Sequence, residues 1–127
     1  MLGFFTYYLK LNTYNLIPNT YNFMTRVGFT MKLHNGQLAE YKKRHDEILP
    51  ELVSLLKESG ISNYSIFLNE ETNILFGVLD SSDDAARENL SSSPIMKRWW
   101  AYMKDIMDSN PDNSPVSIPL QEVFYMP

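Results

Sequence analysis

ISNYSIFLNEETNILFGVLD, residues 61–80, reads as two strands back to back. From Ile61 to Leu68, the side chains of Tyr64, Ile66 and Leu68 share one face. From Asn73 to Asp80, Ile74, Phe76 and Val78 share one. The polar tetrapeptide Asn69-Glu70-Glu71-Thr72 joins them as a hairpin loop. Gly77 lacks a Cβ and leaves room for another group to come close to the backbone. What flanks this hairpin decides the fold class.

Upstream, Arg26 to Leu33 alternates cleanly, with Val27, Phe29, Met31 and Leu33 on one face of a first strand. His34-Asn35-Gly36 supplies a turn. Gln37 to Ser59 is helical: Leu38, Tyr41, His45, Ile48, Leu49, Leu52, Leu55 and Leu56 recur at the three-and-four spacing of an amphipathic helix. Lys42, Lys43, Arg44 and Glu47 lie mostly off that stripe and are expected to form a solvated face. Pro50 has no N–H to donate, and its ring clashes with a carbonyl one turn back. The helix therefore kinks there, or one helix stops near Ile48 and another starts with Pro50 in its first turn. Gly60 ends the element.

Downstream, Ser81-Ser82-Asp83-Asp84 is a helix-start signal for a short helix running to about Leu90. Ser91-Ser92-Ser93-Pro94 begins a second helix, expected to end near Asp108. A loop rich in Asn, Pro and Ser spans 109–119, and Leu120 to Tyr125 makes a last strand. The order strand, helix, strand, strand, helix, strand is the split βαβ pattern of ferredoxin-like α+β folds (βαββαβ, as in dimeric α/β barrels): an antiparallel four-stranded sheet with helices on one face. The other sheet face needs a cover, and a second copy of the chain is the simplest one. A homodimer is expected.

The chain of 127 residues is long enough for one core. A formal charge of −4, with no basic run beyond Lys42-Lys43-Arg44, argues against nucleic acid as the main partner. No apolar run approaches the ~18 residues of a membrane span. The absence of cysteine removes disulfides, thiol catalysis and Cys-ligated metals, and is compatible with a cytoplasmic setting. Residues 1–23 read differently from the rest, with one charged residue, Lys10, among Tyr, Asn, Thr and Phe. They lack the layout of a signal peptide. Met24 then reads as a natural start for a domain at 24–127, with 1–23 an appendage; the competing reading is a genuine extra strand or arm.

The chemistry gathers on the two long helical stretches. On the second, Met96, Trp100, Met103 and Met107 form one apolar stripe, and Trp99, Tyr102 and Ile106 another beside it. Adjacent tryptophans on a helix point about 100° apart, so the pair reads either as core or as the aromatic wall of a sugar pocket. Indole faces pack well against the C–H faces of a pyranose. On the first helix, Tyr41 and His45 are four apart and so neighbours on one face. An imidazole with a pKa of ~6.5 can serve as acid or base near neutrality, although a lone histidine on an apolar stripe can equally be a satisfied core residue. Two histidines without cysteine make a poor metal set.

Residues 24–127 resemble the L-rhamnose mutarotase family, enzymes that interconvert the α and β anomers of L-rhamnopyranose. The resemblance rests on Glu40-Tyr41-Lys42-Lys43-Arg44-His45 followed by Pro50-Glu51-Leu52, then Asn63-Tyr64. It continues through Arg98-Trp99-Trp100-Ala101-Tyr102-Met103, Asn110-Pro111-Asp112-Asn113-Ser114-Pro115 and Leu120-Gln121-Glu122-Val123-Phe124-Tyr125. Each piece alone is weak; their order and separations together are specific. Between His45 and Pro50 this chain carries Asp-Glu-Ile-Leu, a departure that bears on local helix geometry more than on chemistry. The first 23 residues lie outside the resemblance.

The resemblance implies that His45 is the catalytic proton donor, that Tyr41, Tyr64, Trp99 and Trp100 contact the sugar, and that the enzyme is a dimer with no metal or cofactor. Mutarotation needs a proton delivered to the ring oxygen and one removed from the anomeric hydroxyl. His45 would do the first, with Tyr41 or a water taking the other proton. The aromatic walls would favour a deoxysugar, whose C6 methyl lies against an indole without an unpaired hydroxyl. The alternative is a non-catalytic or haem- or small-ligand-binding dimeric α+β barrel, since the same architecture hosts both.

Overall fold

Leu33 and Leu75 sit at the centre of the sheet's covered face and are almost wholly buried. The structure, a computed structural model, describes residues 24–127, so the extension at 1–23 lies outside the described residues. Its elements are β1 (Thr25–Lys32), α1 (Leu38–Asp46), α2 (Pro50–Glu58), β2 (Ile61–Asn69), β3 (Ile74–Ser81), α3 (Asp84–Glu88), a 3₁₀ turn (Asn89–Ser92), α4 (Pro94–Met103) and β4 (Ile118–Leu120). The sheet order is β2-β3-β1-β4 with every pairing antiparallel. This is the expected ferredoxin-like arrangement: the hairpin β2-β3 is split from β4 by β1.

On β1 and just past its end, the alternate residues Met31 and Leu33 turn to the helices and are buried, with Val27 and Phe29 partly so. On β3 the inward residues are Leu75, Gly77 and Leu79, so Ile74, Phe76 and Val78 face the other side of the sheet. Gly77 sits opposite Phe29, and a Cβ there would come within 2.4 Å of the Phe29 ring. The close approach expected at this glycine is therefore that ring. One buried cluster gathers Met31, Leu33, Tyr41, Leu75, Met103, Ile106 and Met107; a second gathers Ile61, Leu79 and Leu90.

Pro50 resolves its own conflict by starting a helix. α1 ends at Asp46 and α2 opens on Pro50, where a missing N–H leaves nothing unpaired. Asp83 caps α3 by accepting a hydrogen bond from the Ala86 N–H at 3.0 Å.

Three expectations are corrected. α4 stops at Met103 rather than near Asp108, because the chain turns there and Met107 leaves to bridge Leu33 beside β1. The last strand is Ile118–Leu120 rather than Leu120–Tyr125, since only Ile118, Pro119 and Leu120 reach β1, opposite Thr30, Phe29 and Gly28. The proline is tolerated because β4 is an edge strand. Arg44, expected in a solvated face, is 8% exposed. It is drawn inward by Glu40 and Asp105, while Lys42, Lys43 and Glu47 do face solvent.

Candidate active site

Tyr41 and His45, one turn apart on α1, stack with ring centroids 4.3 Å apart and planes tilted by 31°. His45 Nδ1 lies 3.0 Å from the backbone carbonyl of Tyr41. A carbonyl oxygen only accepts, so Nδ1 carries the hydrogen and Nε2 is left as the nitrogen that can exchange a proton. Burial lowers the His45 pKa below the ordinary histidine value, opposed by the bond to Tyr41 and by the Asp46 carboxylate. The Tyr41 phenol is pushed well above its usual range, first by burial and then by the neighbouring Tyr64.

β2 contributes Tyr64 through an irregularity. Ser62 pairs with Asp80 and Ser65 with Val78, so β2 carries one extra residue against β3 between these points. Asn63 absorbs it with a positive φ of 50°, a conformation asparagine adopts more readily than most residues, and its amide donates to Asp80 at 2.9 Å. The extra residue reverses the alternation. Tyr64 thereby joins Ile61, Ile66 and Leu68 on the covered face. Its phenol is pushed up to about 12 by burial, while 40% of the residue stays accessible. Both follow from its place in the wall of an open concavity, where protein surrounds a side chain that the mouth still exposes.

α4 contributes the tryptophans. Trp99 meets His45 edge to face, with centroids 5.2 Å apart and planes at 89°. Trp99, Trp100, Tyr41, His45 and Tyr64 all line a single cavity of about 670 Å³, within the usual range for small-molecule sites. The five residues singled out from the sequence thus converge. Met31, Ile66, Leu68 and Leu75 form its sheet side; Met96 and Met103 extend the α4 wall, Met107 adds to it from beyond the helix end, and Pro115 of the long loop closes one edge. The methionines were legible as the stripe beside Trp100. Met31 read only as part of a strand face, Leu75 was not singled out, and Pro115 read as part of the tail motif without a place in the site. Asp46 also reaches the cavity but is paired with Lys42 at 3.0 Å. His34 lies apart, between the Asp105 carbonyl at 3.3 Å and the Asp108 carboxylate at 3.2 Å. Among the described residues, no cluster of His, Asp and Glu could hold a metal ion.

Fold and site together define the class: a ferredoxin-like α+β domain with one partly buried, tautomer-fixed histidine in an aromatic cavity of small-molecule size, carried by a single sheet-and-helix layer pair. The chain belongs to the L-rhamnose mutarotase family: a family model of that description matches residues 26–126. An L-rhamnose mutarotase of Mesorhizobium japonicum is 58% identical over 101 residues, covering 80% of this chain and 96% of the relative. One from Jannaschia is 56% identical over 104 residues, covering 82% and 100%. The crystal structure of an L-rhamnose mutarotase from Formosa agariphila superposes with a TM-score of 0.76 at 55% identity, over 81% of this chain and 99% of that one. A conserved protein of Methanosarcina mazei shares the fold alone, at 15% identity and a TM-score of 0.55 over 80% and 94%.

Proposed function

We propose that this protein interconverts the α and β anomers of L-rhamnopyranose, with His45 as the catalytic proton donor and Tyr41, Tyr64, Trp99 and Trp100 as sugar contacts. The observation that carries the reading is the His45 tautomer: with Nδ1 tied to the Tyr41 carbonyl, one nitrogen, Nε2, remains to trade protons in a cavity walled by two indoles. Membership of the mutarotase family supplies the substrate.

The chemistry follows from that nitrogen. Because burial favours the neutral imidazole near pH 7, Nε2 has to collect a proton before it can donate one. The anomeric hydroxyl sits on the same carbon as the ring oxygen, so one nitrogen can serve both. The O1–H bond breaks to Nε2, C1=O1 forms, the C1–O5 bond breaks, and O5 takes the proton from Nε2–H. Rotation about C1–C2 and closure on the opposite face reverse each step, and no proton is gained or lost overall. Tyr41 then has no need to be a base. A phenol held above its ordinary pKa keeps its proton and is better suited to donating a hydrogen bond to a sugar oxygen. The barrier to be lowered is modest, since mutarotation proceeds in water unaided, and acid–base help of ~10²–10⁴-fold is enough.

The enzyme works as a homodimer in the cytoplasm. Supporting the first is the exposed apolar face of the sheet, where Phe67 is 64% and Phe76 36% accessible. Supporting the second is the cysteine-free composition, which suits a reducing compartment. NMR saturation transfer between the α and β anomeric protons of L-rhamnose tests the activity. Protein-dependent exchange is expected. Exchange at the buffer rate would overturn the reading.

A further inference from the structure

Arg44 does not face the cavity, yet it is among the most tightly held side chains in the molecule. Its Nε donates to Glu40 at 2.7 Å; Nη1 donates to the Tyr102 carbonyl at 2.6 Å and to Asp105 at 2.8 Å, and Nη2 to Asp105 at 3.2 Å. The Tyr102 carbonyl lies in the last turn of α4, where helix carbonyls lack partners and a cation meets the negative end of the helix dipole. A planar fork can satisfy all three partners at once. The same guanidinium lies over the Tyr102 ring, 4.5 Å from its centroid. From there the contacts run on: Tyr102 to Trp99 at 5.9 Å, and Trp99 to His45 at 5.2 Å. His45 is the next residue after Arg44 on α1. Arg44, Tyr102, Trp99 and His45 therefore form a closed ring of contacts that begins and ends on α1 and passes through α4.

We propose that Arg44 is a positioning residue that clamps α1 to the end of α4, through Tyr102 and Asp105, and so fixes the Trp99 indole against the His45 imidazole. The inference rests on the mutarotase reading for its effect on rate, though not for the contact itself. Helix α1 alone cannot set the spacing between His45 and Trp99, because the two side chains come from different elements. A shift of about 1 Å between reacting groups can cost ~10²-fold in rate, so a clamp at this distance from the sugar acts on kcat.

Two variants loosen it differently. Arg44→Lys keeps the charge and loses the fork; Asp105→Asn removes a carboxylate whose side chain is largely in water, so the fold is under little threat. The readouts are kcat and KM for anomer exchange, and a sugar-free pH titration of Trp99 fluorescence in a Trp100→Phe background. The chain has two tryptophans, so that background isolates Trp99, which protonated His45 quenches. The titratable or charged groups lining the cavity around His45 are Tyr41, Lys42 and Asp46 of α1 and Tyr64 of β2; α4 faces it with uncharged side chains. The expected result is a kcat lowered by roughly 10- to 10²-fold with KM little changed. The quenching midpoint should move up towards the ordinary histidine value as the indole withdraws. Lower melting temperatures with wild-type kcat and wild-type quenching would overturn the proposal, as would altered quenching with unchanged kcat. A wild-type protein that exchanges no anomers, while its variants show the quenching shift, would remove the sugar reading and uphold the clamp.

Discussion

The imidazole of His45 is committed on one side and free on the other, and that asymmetry gives it a testable signature. His45→Asn keeps a polar group near the Tyr41 carbonyl but cannot exchange a proton near neutrality. Anomer exchange should fall by roughly 10²-fold or more, measured by saturation transfer, with only a small change in melting temperature at pH 7. Stability carries a second mark. Because the folded state lowers the His45 pKa, the unfolded chain takes up its proton first as pH falls below ~6.5. In that window unfolding binds more protons than folding does, so stability present above ~6.5 is lost as pH drops through the folded pKa. His45→Asn should flatten that part of the melting-temperature profile. The two tryptophans should also separate. The Trp99 ring meets the His45 imidazole edge to face, so Trp99→Phe should lower kcat as well as affinity. Trp100→Phe should raise KM chiefly. Unchanged emission on adding millimolar L-rhamnose, in a protein that exchanges anomers, would refute the aromatic wall.

Each element delivers its site residue through a local feature, and these differ in how visible they are along the chain. The helical spacing that puts His45 over Tyr41, and the stripe that puts Met96, Trp100, Met103 and Met107 on one side, are properties of consecutive residues and were legible. So was the break at Pro50, because a missing N–H acts locally. Arg44 was not. Its burial depends on Tyr102 and Asp105, which sequence spacing does not bring near it. The end of α4 was misplaced for the same reason: Met107 fits the helical stripe but is taken by a β-bridge to Leu33 beside β1. The bulge at Asn63 lies between these cases. Simple alternation already grouped Tyr64 with Ile66 and Leu68, but not with Ile61, which shares their side only because one extra residue intervenes. Asn63→Gly should therefore preserve exchange, since glycine accepts a positive φ. Asn63→Val should cost about 1–2 kcal/mol from the left-handed backbone alone and raise KM as Tyr64 loses its bearing, read from denaturant melts and saturation transfer. Gly77→Ala should destabilise by about 1–3 kcal/mol, because the added methyl meets the Phe29 ring, which itself packs edge-on to Tyr64 at 6.2 Å.

At the scale of the whole molecule, the sheet divides two tasks between its faces. The covered face holds the cavity, and among the described residues every one lining it lies between Met31 and Pro115; removing residues 1–23 should leave melting and exchange almost unchanged. The other face carries Phe67 opposite Phe76, with Ile118 and Leu120 on β4 at the far edge of the sheet, all exposed. A second copy meeting this surface across a two-fold axis would set the same apolar patch on both sides of the seam. A charge there is then harmful twice over: Phe76→Glu would bury one carboxylate from each copy in the seam, at several kcal/mol per desolvated ion. Sedimentation velocity should show a dimer for the wild type and a dissociation constant raised by on the order of 10²-fold or more for Phe76→Glu. Phe76 points away from His45, Trp99 and Trp100, across the thickness of the sheet. The dissociated variant should therefore keep most of its exchange rate, and a monomeric wild type would leave the apolar face without its proposed cover.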